Sequence, residues 1–347
     1  MSDSFDPNAP GMEGANIFGY PTSPETADFI LIPVPWDVTV SYGEGASDGP
    51  DAIFEASKQT DVFDPLVAKP WTLNVAIENL DEEVRASNYR LRELALEYIE
   101  AFCKDEAGGS TMRDIIEDIN AGCLDLNAWL YSKADLMLHD GKLVGVLGGE
   151  HSCSLGLIEA LADRFPGFGI LQIDAHADLR DAYEGFHYSH ASAMQNALMI
   201  KGVQKLVQVG IRDFCQEEVD FINNNPERVA TFFDRDIHTQ LFNGEIWANI
   251  VDAIIAELPQ EVFISFDIDG LDPSLCPNTG TPVPGGLSYN QTIFLLERIA
   301  LSGKRIIGFD LCEVAPGESE WDGFVAAKIL FRLVNLTAMT NGKLAKI

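Results

Sequence analysis

The chain has 347 residues, 46% of them hydrophobic, which is enough for one large domain or two modest ones with a sizeable buried core. Its 23 Lys and Arg face 54 Asp and Glu, a net charge of −31. That balance argues against nucleic acid or an anionic membrane surface as the main partner and suits a soluble protein whose field draws in a cationic substrate, although a salty habitat favours the same acidity.

Residues 1–28 are rich in Pro, Gly, Ser and Asp and read as an N-terminal arm. The first residues lack a basic stretch followed by an apolar one, so no secretory signal is expected. "FILIPVPWD" (29–37) reads as a buried strand ending in a turn, and "GPDAIFEASKQT" (49–60) as a helix with proline near its start. Helical periodicity fills residues 83–140, in "LRELALEYIEAF" (91–102) and "LDLNAWLYSKADLML" (124–138), with a polar break at 104–111. Beyond it, short apolar runs alternate with amphipathic ones. "KLVGVLGG" precedes "SLGLIEALADRF", "FGILQIDAHAD" precedes "ASAMQNALMIK", and "KLVQVGIRD" precedes "EEVDFINN". "VATFFD" leads to "EIWANIVDAIIAEL", "EVFISFDID" to "YNQTIFLLERIAL", and "RIIGFDLCEV" to "DGFVAAKILFRLVNLTAM". This rhythm specifies a mostly parallel sheet covered on both faces, as one α/β domain over 29–347 with 83–140 as a helical elaboration. No apolar run approaches the ~20 residues of a membrane span. The six cysteines (103, 123, 153, 215, 276, 312) form no CxxC pair and read as reduced, mostly buried thiols of a cytoplasmic protein.

Ligands of open α/β sheets bind at the carboxyl ends of the strands, and there the unusual polar residues fall. "VLGGEHS" places Glu150 and His151 at one strand end, and "LQIDAHADLR" places Asp174, His176 and Asp178 at the next. "ISFDIDGLDPS" adds Asp267 and Asp269, and "GFDLCEVAPG" adds Asp310 and Glu313. In extended chain, residues i and i+2 share a side, so Asp174, His176 and Asp178 converge if the backbone stays extended, as do Asp267 and Asp269. Read singly, each acid is a helix cap. Read together, four aspartates carry about −4, which two divalent ions balance. Oxygen-rich ligation with one imidazole per ion favours Mn²⁺, then Ni²⁺, Co²⁺ or Fe²⁺, and fits structural zinc poorly. Glu150, Asp310 and Asp272 read as supporting or turn residues, and His139 and His238 as surface or helix-end residues.

The segments "GGEHS" (148–152), "DAHAD" (174–178), "SFDIDGLDPS" (265–274), "TGTPVPGGLS" (279–288) and "EVAP" (313–316) resemble the ureohydrolase family, which includes arginase and agmatinase. "DLRDAYEGFHYSHAS" (178–192) looks closest to agmatinases, although plant-type arginases carry a similar stretch. The resemblance implies a three-layer α/β/α sandwich assembled as a trimer or hexamer. It implies two manganese ions, one on His151 and Asp178, the other on His176 and Asp269, with Asp174 and Asp267 bridging. It assigns proton shuttling to His190, guanidinium contact to Glu313 and a place in the pocket lining to Thr281. The expected reaction releases urea and an amine from a guanidino substrate, agmatine first, with arginine, guanidine or a guanidino acid as alternatives. Arg180 has two readings, pairing with a substrate carboxylate or bracing a neighbouring acid, and Trp36, Asp37 and Tyr42 are expected to help read the substrate tail. The stretch 83–140 is longer than the family pattern and is expected to alter the oligomer interface or overhang the site. Two other classes compete: a deacetylase-like amide hydrolase with one zinc ion, and a non-catalytic partner subunit with a vestigial site.

Overall fold

The computed structural model describes residues 5–9 and 14–347, so part of the N-terminal arm, residues 1–4 and 10–13, lies outside the described residues. Among those described, eight strands form the sheet: β1 (Phe29–Val34), β2 (Val75–Ile77), β3 (Leu143–Gly148), β4 (Phe168–Ile173), β5 (Val203–Ile211), β6 (Val229–Phe233), β7 (Glu261–Asp267) and β8 (Arg305–Cys312). Their order across the sheet is β2-β1-β3-β8-β7-β4-β5-β6. Every pairing is parallel, where the sequence suggested only a mostly parallel sheet.

Every residue of β1, β3 and β4 is buried, as expected of strands packed on both faces. Along β1, Phe29 and Leu31 enter one apolar core while Ile30 and Ile32 enter the other. The first core is covered by α1 (Gly49–Ser57), α7 (Asp234–Phe242), α8 (Trp247–Glu257), α9 (Tyr289–Leu301) and α10 (Trp321–Thr340). The second is covered by α2 (Glu82–Cys103), α3 (Ser110–His139), α4 (Leu155–Ala162), α5 (Ala193–Met199) and α6 (Gln216–Asn224). The result is a three-layer α/β/α sandwich. Helix α4 approaches α3 closely at Gly156, where any Cβ would sit 2.4 Å from the Asn127 carbonyl oxygen.

Several elements differ from the sequence reading. Strand β2 is an edge strand of three residues, too short to show a pattern. Helix α7 starts directly after β6, and its polar sequence "DRDIHTQLF" hides a single buried stripe around Ile237. Within the N-terminal arm, Ile17, Phe18 and Tyr20 are buried; Phe18 packs edge-on against Phe331, and its N–H donates to Ser57 Oγ. Helix α10 is long and apolar enough to cross a membrane, contrary to the sequence reading, but 78% of its apolar window is buried inside the fold. It is a core helix.

Arg332 of α10 is buried and pairs with the fully buried Asp64, which also accepts from the backbone N–H groups of Leu66 and Val67. Asp64→Ala leaves that guanidinium with Glu297 as its remaining acid. A loss of about 3–5 kcal/mol in unfolding free energy is expected by urea titration, the range for breaking a buried pair.

Candidate metal centre and active site

Strands β3, β8, β7 and β4 are neighbours and all parallel, so their carboxyl ends open at one edge of the sheet. Beyond β3, Gly149 lets the chain run against β1: any Cβ there would lie 2.0 Å from the Trp36 carbonyl oxygen, and the Glu150 N–H donates to that oxygen. His151 then opens a short 3₁₀ turn. Its Nε2 lies 2.8 Å from Ser265 Oγ, which donates to Asp310. This chain orients the ring and turns Nδ1 toward the acids.

His151 Nδ1 lies 3.0 Å from both Asp174 Oδ2 and Asp178 Oδ2 and 3.5 Å from Asp267 Oδ2. It is buried and aligned for a hydrogen bond with none of them. His176 Nδ1 lies 3.0 Å from Asp269 Oδ2 and 3.6 Å from Asp174 Oδ1. Two groups of ligand atoms therefore form, His151 with Asp174 and Asp267, and His176 with Asp174 and Asp269. Asp174 belongs to both.

Several acids spend one oxygen on the backbone and leave the other at the centre. Asp267 Oδ1 accepts from the Asp269 N–H, Asp269 Oδ1 from the Ala175 N–H, and Glu313 Oε1 from the His151 N–H. The cap reading and the cluster reading of Asp267 thus hold together in one residue.

The electrostatics call for cations. Burial, aided by Asp269 and Asp174, pushes the Asp267 carboxyl well above the usual carboxylate range, and burial beside Asp174 lifts Asp178 to about 7. Burial also raises Glu313 well above its ordinary value. For the histidines burial works the other way, yet the surrounding aspartates outweigh it, carrying His151 well above its ordinary value and His176 to about 12. The imidazoles are drawn toward carrying positive charge that the acids require. Nitrogen and carboxylate donors in two groups sharing one aspartate fit two divalent ions.

One geometric expectation fails. Asp174 to Asp178 is not extended: Asp178 has φ +54°, and its carbonyl is held by the N–H groups of Met194 and Gln195 at the start of α5. The loop turns back to bring Asp178 beside His151. Glu313 likewise has φ +63°. Non-glycine residues at positive φ cost about 1–3 kcal/mol each and persist where their surroundings hold them.

A cavity of about 170 Å³ opens beside the cluster, lined in part by Arg180, Tyr183, His190, Asp213, Phe214 and Thr281. Thr281 Oγ1 is 3.5 Å from Asp269 Oδ2. The Arg180 guanidinium stacks 4.8 Å over the Tyr183 ring, with no acid at ion-pair distance among the described residues, so the acid-bracing reading finds no partner. The His190 imidazole lies edge-on to the same ring, and the His190 backbone N–H donates to Thr39 Oγ1. Trp36 and Asp37 do not face the cavity. Trp36 is buried, and Asp37 is consumed by Asn88, Gly45 and Ser47, while Tyr42 is 82% exposed. Glu150 accepts from Thr39 and Ser152, Asp310 from Ser265 and the Phe266 N–H, and Asp272 from Ser274. His139 ends α3, and His238 bonds within α7.

Sequence reasoning missed Thr39 and Ser265. Ser265 was findable, since it lies two residues before Asp267 on the same face of β7. Reasoning also missed the role of the helical elaboration. Helix α2 holds the loop after β1, through Asn88 to Asp37 and through Arg92 to the Val38 and Val40 carbonyls. Helix α3 holds the loop before α5, where Asn120 bonds the Gly185 carbonyl and the His187 N–H. Ser265→Ala is expected to weaken metal affinity about 10- to 100-fold in a competition titration against a chelating dye. Arg92→Ala is expected to raise KM more than it lowers kcat, because it frees a loop rather than a ligand.

The Arginase family model matches residues 27–335. An N(1)-aminopropylagmatine ureohydrolase of Synechocystis is 31% identical over 90% of both chains. An agmatinase of Bacillus subtilis is 29% identical over 88% of this chain and 90% of its own. Among solved structures, the agmatine ureohydrolase of Thermoplasma volcanium superposes with a TM-score of 0.71 at 22% identity, covering 96% of this chain and 97% of its own. The chain belongs to the arginase family and is a metal-dependent ureohydrolase acting on guanidino C–N bonds.

Proposed function

We propose that the chain hydrolyses a small guanidino compound with a cationic tail, agmatine first, to urea and an amine. The observation that carries this reading is Glu313, which anchors Oε1 on the His151 N–H, has no hydrogen bond at Oε2 among the described residues, and lies near enough to Asp267 to help raise its carboxyl. His151, Asp174, His176, Asp178, Asp267 and Asp269 would hold two Mn²⁺ ions, with Ni²⁺ the second candidate. Bound there, the ions supply Lewis-acid activation of water near neutral pH.

The chain's own residues do the rest. Glu313 holds the guanidinium by accepting a charge-assisted hydrogen bond at Oε2, a single-oxygen contact because the other oxygen is engaged. Asp178, brought beside His151 by its left-handed backbone, takes a proton on the attacking side and returns it to the departing amine. His190, on the cavity wall, exchanges protons with solvent, and Thr281 lines the wall next to Asp269. Arg180 and Tyr183 form a flat stacked face along which an alkyl tail can lie, and the exposed Asp213 carboxylate offers that tail's cation a partner.

A longer tail is the second reading. The aminopropylagmatine ureohydrolases of Synechocystis and Thermus thermophilus, at 30–31% identity, support it, as does the exposed Asp213 in the cavity lining. Arginine, free guanidine and guanidino acids follow. A single-zinc deacetylase-like reaction would leave one of the two ligand groups uncompensated, and a vestigial site would not retain all six. The assembly we propose is a cytoplasmic homo-oligomer, trimer or hexamer.

The test is urea release from Mn²⁺- and Ni²⁺-loaded protein over agmatine, N1-aminopropylagmatine, arginine, guanidinobutyrate, guanidinopropionate and guanidine. Urea from agmatine or its aminopropyl derivative, lost in Asp267→Ala, is expected; preference for a guanidino acid would sink the cationic-tail reading. Glu313→Gln is expected to lower kcat/KM about 10- to 100-fold, the worth of one hydrogen bond to a charged group.

A further inference from the structure

Among the described residues, two imidazole nitrogens are buried without a hydrogen-bond partner. One, His151 Nδ1, faces the metal-binding acids. The other, His190 Nδ1, faces Glu150, whose Oε2 lies 3.9 Å away. Glu150 is fully buried, and the reaction described above gives it no task.

Its surroundings point to one. Glu150 is fixed by three donors, the Thr39 N–H and Thr39 Oγ1 on Oε2 and Ser152 Oγ on Oε1. Thr39 also binds the other partner: the hydroxyl that donates to Glu150 Oε2 at 2.8 Å accepts the His190 N–H at 3.2 Å. One side chain thus sets the backbone of His190 and the carboxylate of Glu150 against each other. Tyr183 packs edge-on against the imidazole, its ring 6.2 Å from it at 77°, limiting how the ring can turn. A closure of roughly 1 Å brings Nδ1 and Oε2 to ordinary hydrogen-bond distance.

We infer that Glu150 is a positioning residue for His190: its carboxylate accepts Nδ1–H, fixing the tautomer and ring so that Nε2 is left free to exchange protons. The inference rests on the proposed role of His190 as proton carrier. It assigns to the glutamate of "GGEHS" a function separate from the metal ligand that follows it. An imidazole nitrogen works as a base only when its partner nitrogen carries the proton. An ionised carboxylate beside that partner enforces this choice, whereas the protonated form, toward which burial drives Glu150, would impose the opposite tautomer.

The test has two parts. Steady-state kinetics on the metal-loaded wild type, Glu150→Gln, His190→Asn and the double variant, with metal content measured for each, form a double-mutant cycle. Glu150→Gln is expected to lower kcat about 10- to 100-fold with KM within about twofold and metal content unchanged. The double variant is expected to be no slower than His190→Asn alone, and Glu150→Asp to recover part of the loss. A His190→Asn loss with Glu150→Gln at wild-type kcat, or losses that multiply, would overturn the inference while keeping His190 as proton carrier. No loss in His190→Asn would overturn both. The second part needs no folded Glu150 variant. The chain has six histidines, so ¹⁵N spectra of Mg²⁺-loaded wild-type protein can report the His190 tautomer, with His190→Asn for assignment. Protonation at Nδ1 is expected; protonation at Nε2 would overturn the proposal whatever the kinetics.

Discussion

Four aspartate side chains are held almost out of water within a few ångströms of each other, and everything at the carboxyl edge of the sheet answers to that repulsion. The fold does not relieve it by spreading the acids apart. It anchors oxygens of Asp267, Asp269 and Glu313 on backbone N–H groups, so the other oxygen of each stays pointed inward. The anchors also tie strand ends together, since the Ala175 N–H follows β4 while Asp269 follows β7. Positive charge delivered to such a centre stabilises the folded chain as well as the chemistry, because ligand geometry and strand-end geometry share the same hydrogen bonds.

Much of this was legible in the sequence. Strands reveal themselves as short apolar runs, and polar residues at their ends stand out because burying them there is otherwise costly. That logic located all six metal-binding candidates and Glu313. It failed where the backbone departs from regular geometry. Period-two alternation suggested Asp178 on the correct side for the wrong reason, since the chain reaches that position through a left-handed residue. No residue type announces such a conformation when it is not glycine. Strand β2 escaped notice because three residues carry too little pattern to distinguish a strand from a loop. Trp36 and Asp37 were misplaced because nearness in sequence to a strand end says nothing about which way a loop folds back. Asp37 turns away from the cavity to satisfy the N–H groups of Gly45 and Ser47.

The acidic composition takes on a more specific meaning beside the cavity. The chain's negative charge surrounds a site in which Glu313 is buried beside the metal-binding acids and the exposed Asp213 lines the cavity, an arrangement that suits the cationic substrate proposed above. Arg180 is the exception on that wall. Its guanidinium sits over the Tyr183 ring, whose negative face attracts and partly offsets the charge.

The hairpin of α2 and α3 links two loops that are far apart in the chain. Asn88 and Arg92 hold the segment that carries Thr39, and Asn120 holds the segment that leads to His190. Because both clamps sit on one locally folded unit, a fluctuation that lifts the hairpin off the sheet releases both walls of the cavity at once. The geometry of the entrance therefore depends on how the hairpin docks as well as on the loops themselves. Substitutions on the buried face of a helix pair, remote from any ligand, would thus reach both cavity walls through the hydrogen bonds that hold their loops.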